Sequence, residues 1–300
     1  MNTNSIEVIL IPAIMILLGY ILKNNNVLHE TDNISLNKIV INISLPSLIF
    51  VNLLSETITP SMVQIPLIGL VISGICALIA FIFSWIKGYS KEIMFSIIIS
   101  SSLINTAFIG YPVILEVFGH TGLINGIFFD LSTTILFVIF SIILLLIYGG
   151  DYKDIVKHSL LFPPLWAIIL GVICNQWHVT LGNVILKILT YFGNSTTALI
   201  MISLGLSLNL KEIKKYLNIA CTSSVIRLIL GPLIAISLLS LFGINGLMKD
   251  VIILDAGISS AMLGIVLAIN YKLDVPVMTA CIFTSTILSI FTLPVIISLF

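Results

Sequence analysis

SSSLINTAFIGYPVILEVF, residues Ser100 to Phe118, decides how the rest of the chain is read. It sits inside an apolar run long enough to cross a bilayer, yet it holds Asn105, Thr106, Gly110 and Pro112 in its middle. A helix facing lipid has no use for that cluster. Pro112 has no backbone donor and its ring crowds the carbonyl four residues back, while Gly110 loosens the same turn. Backbone groups freed inside a membrane are tolerated only where protein or a water-lined cavity satisfies them. A broken spanning helix with polar residues at the break is a pointer to a transporter's binding site.

Composition agrees with that class. Of the 300 residues 59% are hydrophobic and 9% charged, whereas a soluble domain carries about 25% charged residues. The formal net charge is zero, which gives no reason to expect nucleic acid. Cys76, Cys174, Cys221 and Cys281 lie in apolar runs without a CxxC pair, so they read as buried apolar side chains rather than metal ligands or disulfides. The first apolar run carries Glu7 and no basic residue, which argues against a cleaved signal peptide. The chain reads as an all-α integral membrane protein.

A spanning helix needs about 20 mostly apolar residues. Ten segments qualify: 5–22, 34–54, 63–86, 92–117, 123–147, 159–177, 183–208, 216–242, 250–270 and 275–299. With the N-terminus outside, the inward loops and helix ends hold Lys23, Lys38, Lys87, Lys91, Lys153, Lys157, Lys211, Lys214, Lys215 and Lys272. The outward side holds Lys187 and Lys249. That bias predicts a multi-pass protein of the cell membrane with both termini outside.

The halves repeat. IPAIMILLGYI at 11–21 aligns with PPLWAIILGVI at 163–173, pairing Pro12 with Pro164 and Gly19 with Gly171 at a separation of 152. STTIL at 132–136 matches TSTIL at 284–288 at the same separation, and NTAFIG at 105–110 pairs with SSAMLG at 259–264 at 154. Residues 1–150 and 151–300 then form two five-helix repeats, and an odd number of spans inverts the second. The partner of the opening stretch is segment 9, DVIILDAGISSAMLGIVLAIN, which Gly257, Ser259, Ser260 and Gly264 weaken at the corresponding depth.

Several residues can carry chemistry. Asn105 and Thr106 either bond a neighbouring helix or line a central cavity with Ser259, the symmetric counterpart of Asn105. Loosened backbone there offers carbonyls to a cation, and half-helix N-termini suit a carboxylate. Arg227, the one arginine, lies about 16 Å into segment 8 at helical rise, where a charge must be paired, hydrated or turned to a cavity. It is either a salt-bridge partner of Asp255 or the counter-charge of an anionic substrate. Asp130 and Asp255 can carry a proton or ligate sodium, or can simply meet water near the interface. Ser132, Thr133 and Thr134 beside Asp130 could complete an oxygen site with Asn105. Pro46 kinks segment 2 between Asn42 and Asn52, and these residues are placed across the cavity from the moving half. No nucleophile–base pair, metal cluster or phosphate loop suggests an enzyme, and no cofactor is implied beyond a coupling proton or sodium ion.

NTAFIGYP at 105–112 resembles the N-T-G-F-I-G-x-P signature of the auxin efflux carrier family, which includes bacterial malate and malonate permeases. INISLPSLIF in segment 2, and the spacing of Ala268 and Tyr271 in segment 9, also fit that family. Many members have a proline where this chain has Ser259. The resemblance implies that segments 4 and 9 cross at their breaks. It also implies a dimeric scaffold of segments 1, 2, 6 and 7, and a moving part of segments 3–5 and 8–10 that carries substrate in an elevator motion. The more distant bile acid–sodium symporters share the plan, which makes Asn105, Thr106, Thr133 and Ser260 sodium-site candidates by analogy.

The function expected is secondary active transport of a small organic anion, a dicarboxylate such as malate or malonate. Asn105, Thr106, Gly110, Pro112, Arg227, Ser259, Ser260, Asn42 and Pro46 would serve the substrate, and Asp130, Thr133 and Asp255 the coupling ion. The alternatives are a sodium/proton exchanger without an organic substrate, and a carrier of another weak acid, auxin-like or bile acid-like.

Overall fold

The structure, a computed structural model, describes residues 5–149, 162–207 and 215–300. Lys153, Lys157, Lys211 and Lys214, the start of segment 6 and the boundary between the expected repeats lie outside the described residues.

The described chain is helical, with one isolated β-bridge and no strand. Helix α1 covers Ser5–Asn24 and α2 Glu30–Ile39, which runs through a π turn, Val40–Ser44, into α3, Leu45–Ser55. After a 3₁₀ turn come α4 (Ile65–Ile86) and α5 (Lys91–Ser102), then a second π turn (Thr106–Gly110) and α6 (Tyr111–Tyr148). Next are α7 (Pro163–Gln176), α8 (Asn183–Ser207) and α9 (Leu217–Val225), a third π turn (Ile226–Leu230) and α10 (Gly231–Leu241). The chain closes with α11 (Leu247–Ala256), α12 (Leu263–Asn270) and α13 (Val275–Ile297).

Six helical stretches among the described residues are long and apolar enough to cross a membrane: Thr31–Ser55, Pro60–Ile86, Thr106–Tyr148, Asn183–Ser207, Leu217–Leu241 and Val275–Ile297. The third is two helices. Gly119 interrupts it with φ 68° and ψ −164°, a conformation open to glycine, and the chain folds back there. Tyr111 hydrogen-bonds Asp130, nineteen residues on, at 3.2 Å, whereas one straight helix would hold them about 28 Å apart.

All three π turns end two residues before a proline: Ser44 before Pro46, Gly110 before Pro112 and Leu230 before Pro232. A proline ring clashes with the carbonyl four residues back and offers it no donor. Widening the preceding turn to i→i+5 bonding moves that carbonyl aside, and the N–H groups of Leu45, Tyr111 and Gly231 bond Val40, Thr106 and Ile226 in that manner. The helices therefore continue past their prolines with a local bulge.

Helix α1 lies along α8, and α3 packs on both α7 and α8. Glycine permits the closest approach. A Cβ on Gly205 would fall against the backbone of Ile16, Tyr20 and Gly19, and one on Gly171 would stand 2.9 Å from Leu53. The other helices pack mainly on one another, α4 on α5 and α6, α9 on α13, and α11 on α6 and α10. Much of the apolar surface of α1, α4 and α7 stays exposed, including Leu17, Leu67, Trp85, Trp166 and Leu170, as lipid contact requires.

Candidate functional site

The site grows from two helices that stop near each other. Helix α5 ends at Ser102 and leaves Leu103 extended (φ −77°, ψ 129°), and α11 ends at Ala256. The two extended pieces cross and pair as an antiparallel bridge between Ile104 and Ser260. The Asn105 N–H donates to the Ser259 carbonyl and the Ala261 N–H to the Leu103 carbonyl, both at 2.9 Å. Segment 9 thus breaks without a proline.

The two bonds exchange under a local two-fold that relates Ile104 to Ser260, a separation of 156. The counterpart of Asn105 is therefore Ala261, and that of Ser259 is Leu103.

Arg227 sits in the third π turn, fully buried. Its guanidinium donates to the Ala256 carbonyl, and reaches the carbonyls of Ser101 and Ser102 at 3.5 Å each. Those carbonyls end α11 and α5. One cation thus sits on the negative ends of both broken helices, the favourable position for it. Arg227 makes no ion pair with Asp255 and does not line the cavity described next. Carbonyls of the crossing take up its donors, and Nε is left without a partner.

Against the crossing lies a cavity of about 430 Å³. Ile104, Asn105, Ala107 and Phe108 form one wall, Ala261 to Val266 another, Asp130, Thr133 and Thr134 of α6 a third, and Ile34, Asn37, Ile41 and Phe162 the last. Asn105 Nδ2 and Thr133 Oγ1 are buried with no partner among the described residues. Asp130 Oδ2 accepts from the Tyr111 hydroxyl. The cavity also touches the first residues of the helices that resume after each break. Helix N-termini carry partial positive charge, although here the Gly264 and Ile265 N–H groups bond the Ala261 and Met262 carbonyls.

Of the residues singled out from sequence, Asn105, Asp130 and Thr133 line this cavity. Thr106, Gly110 and Pro112 build the turn behind it. Ser259 and Ser260 do not reach it: their hydroxyls meet Thr286 at 3.4 Å and Ser285 at 3.1 Å on α13. Asn42 is exposed and bonds the Lys38 carbonyl of its own helix at 2.7 Å, and Pro46 serves the π turn. Asp255 is buried behind the crossing.

Asn37 joins the cavity without having been singled out. Its amide is fixed by Asn33 at 3.2 Å and by Ser203 at 2.7 Å, in a network that reaches Ser207 through Asn33 at 2.5 Å. The spacing of four in both Asn33/Asn37 and Ser203/Ser207 is the signal that marks those faces. A smaller pocket of about 240 Å³ lies between α3, α8 and the Gly119 turn, where His120 Nδ1 meets Asn52 Oδ1 at 2.6 Å.

The sequence matches a family described as membrane transport protein over residues 5–154 and 151–297. It is 39% identical over 292 residues to an uncharacterised transporter of Methanothermobacter thermautotrophicus, covering 97% of this chain and 96% of that one. An uncharacterised transporter of Methanocaldococcus jannaschii is 35% identical over 293 residues, 95% of each chain.

Proposed function

Because this chain belongs to the membrane transport protein family, we propose that it is a secondary carrier of a small organic anion, a dicarboxylate such as malate or malonate, bound at the crossing. The cavity carries this reading. Its volume of about 430 Å³ lies within the range of small-molecule sites, roughly 300–1,000 Å³. Asn105 offers it an amide N–H that no atom among the described residues accepts. The resuming helices bring two positive dipole ends to the same space, suited to a carboxylate. A hydrocarbon body would lie against Ile104, Phe108, Met262 and Val266. Those apolar walls favour, as a second reading, a weak acid with a larger hydrocarbon part.

The wider architecture belongs to the same proposal: ten spans in two inverted repeats, with an elevator motion. The meeting of the two helix breaks at the Ile104–Ser260 bridge supports the paired broken helices of such a repeat. The packing of α1, α3, α7 and α8 against one another supports a scaffold distinct from the crossing. Asn37, which lines the cavity, neighbours Lys38, one of the lysines expected on the inner side, and this supports an inward-facing arrangement.

Uptake of labelled malate and malonate by proteoliposomes tests the reading, with competition by a panel of mono- and dicarboxylates. Saturable uptake blocked by particular carboxylates is expected. Proton or sodium exchange without carboxylate flux would overturn it in favour of the exchanger.

A further inference from the structure

Asp255 is the ionisable group that the cavity leaves unused. It sits in the last turn of α11, is 0% exposed, and neither carboxyl oxygen has a hydrogen-bond partner among the described residues. Two glycines make room for it. A Cβ on Gly110 would stand 2.7 Å from Oδ1, and one on Gly126 would stand 3.5 Å from Oδ2. Gly126 and Asp130 are four residues apart on one face of α6, so their Cβ positions are about 5–6 Å apart. Gly110 is followed by Tyr111, whose hydroxyl bonds Asp130 at 3.2 Å. One carboxyl at the cavity and one behind the broken helix thus lie about a turn apart, with a buried phenol beside them. The ionisable groups that face Asp255 are Tyr111 and Asp130 of α6 and Arg227 of the third π turn. Arg227 is engaged by carbonyls of the crossing.

A buried carboxyl with no donor near it is costly unless it holds a proton or meets a cation. An anion beside a charged Asp130 would be repelled, while a protonated Asp130 would become a donor to it. We propose that Asp255, Tyr111 and Asp130 form a proton relay that couples this carrier to the proton gradient, an inference that rests on the carboxylate reading above. In loading, the Tyr111 hydroxyl proton passes to Asp130 Oδ2 and the phenol oxygen takes the proton of Asp255, whose carboxyl, without a hydrogen bond in this arrangement, swings onto the phenol for the step. Asp130 becomes the neutral acid, Asp255 the carboxylate, and Tyr111 ends as it began. When the substrate has left on the other side, Asp130 gives its proton to water in the cavity there, and Asp255 regains a proton from water on the first side before the next loading, so that one proton crosses with each substrate.

Tyr111→Phe and Asp255→Asn test the relay in proteoliposomes holding a pH-sensitive dye, with malate and malonate as probes. Counterflow between equal pools needs no net proton movement, whereas accumulation driven by a pH gradient does. Wild type is expected to show counterflow, substrate-dependent proton uptake and pH-driven accumulation. Both variants are expected to lose proton uptake and accumulation to the level of protein-free liposomes, and to keep counterflow at a pH low enough to protonate Asp130 directly from the cavity that it lines. Should Asp255→Asn not fold, Tyr111→Phe decides alone. Wild-type counterflow without proton uptake, accumulation driven by sodium instead, or variants that accumulate like wild type would each overturn the relay and leave the carrier reading standing. Absence of counterflow by wild type would remove the carrier reading and the relay with it.

Discussion

Replacing Arg227 by methionine removes the cation from the ends of two broken helices while keeping most of the side-chain volume. The bond to the Ala256 carbonyl is charge-assisted, worth about 1.5–3 kcal/mol. The contacts with Ser101 and Ser102, at 3.5 Å, are at the limit of hydrogen bonding and act mainly through charge on the end of α5. A cation at a partly buried helix C-terminus contributes up to about 2 kcal/mol. Against these stands the relief of no longer burying a guanidinium with Nε unpartnered. The losses win, and the net destabilisation is about 2–4 kcal/mol. Thermal unfolding in detergent should show a midpoint lowered by on the order of 10 °C. Arg227→Lys, which keeps the charge but not the fork, should lose about half as much. An Arg227→Met protein with an unchanged midpoint but no carboxylate binding would refute this reasoning and return Arg227 to the substrate.

Other substitutions separate the cavity from its supports. Gly110→Ala places a Cβ 2.7 Å from Asp255 Oδ1 and 3.2 Å from Thr106 Cγ2. The strain, about 1–3 kcal/mol, exceeds the helix propensity gained, about 1 kcal/mol. Lower unfolding temperature and slowed uptake are expected, and a more stable variant would contradict the slot. Ser260→Ala removes a hydroxyl that faces α13 rather than the cavity. It should cost about 1 kcal/mol of stability and leave carboxylate affinity within error by equilibrium binding. A large loss of affinity would put Ser260 in the site.

How much of this was legible in the sequence depended on whether the cause was local. The break at 105–112 was readable because Gly110 and Pro112 act on their own turn. Pro232 carries the same signal as Pro46, and its π turn was readable on the same grounds, although the sequence reading did not use it. Arg227 was readable as a buried charge but not as a cap. Its partners are carbonyls of α5 and α11, 126 and 29 residues away, and a sequence displays side chains rather than free carbonyls. Ser259 and Ser260 were misplaced for a related reason. Their hydroxyls bond Ser285 and Thr286 of α13, 25 and 27 residues away, partners that no local pattern announces. Asn42 looked available for a ligand, yet it satisfies itself on its own helix. Asn37, four residues from Asn33, was the polar position whose periodicity pointed inward.

The most direct measurement is the unfolding temperature of purified wild type and Asn105→Ala across a series of malate and malonate concentrations, with and without sodium. A ligand of the native state raises the midpoint in proportion to the logarithm of its concentration once above its Kd. Bound at the crossing, malate or malonate should raise the wild-type midpoint and leave that of Asn105→Ala nearly flat, independently of sodium. Equal rises in both proteins, or no rise in either, would contradict a carboxylate site at Asn105.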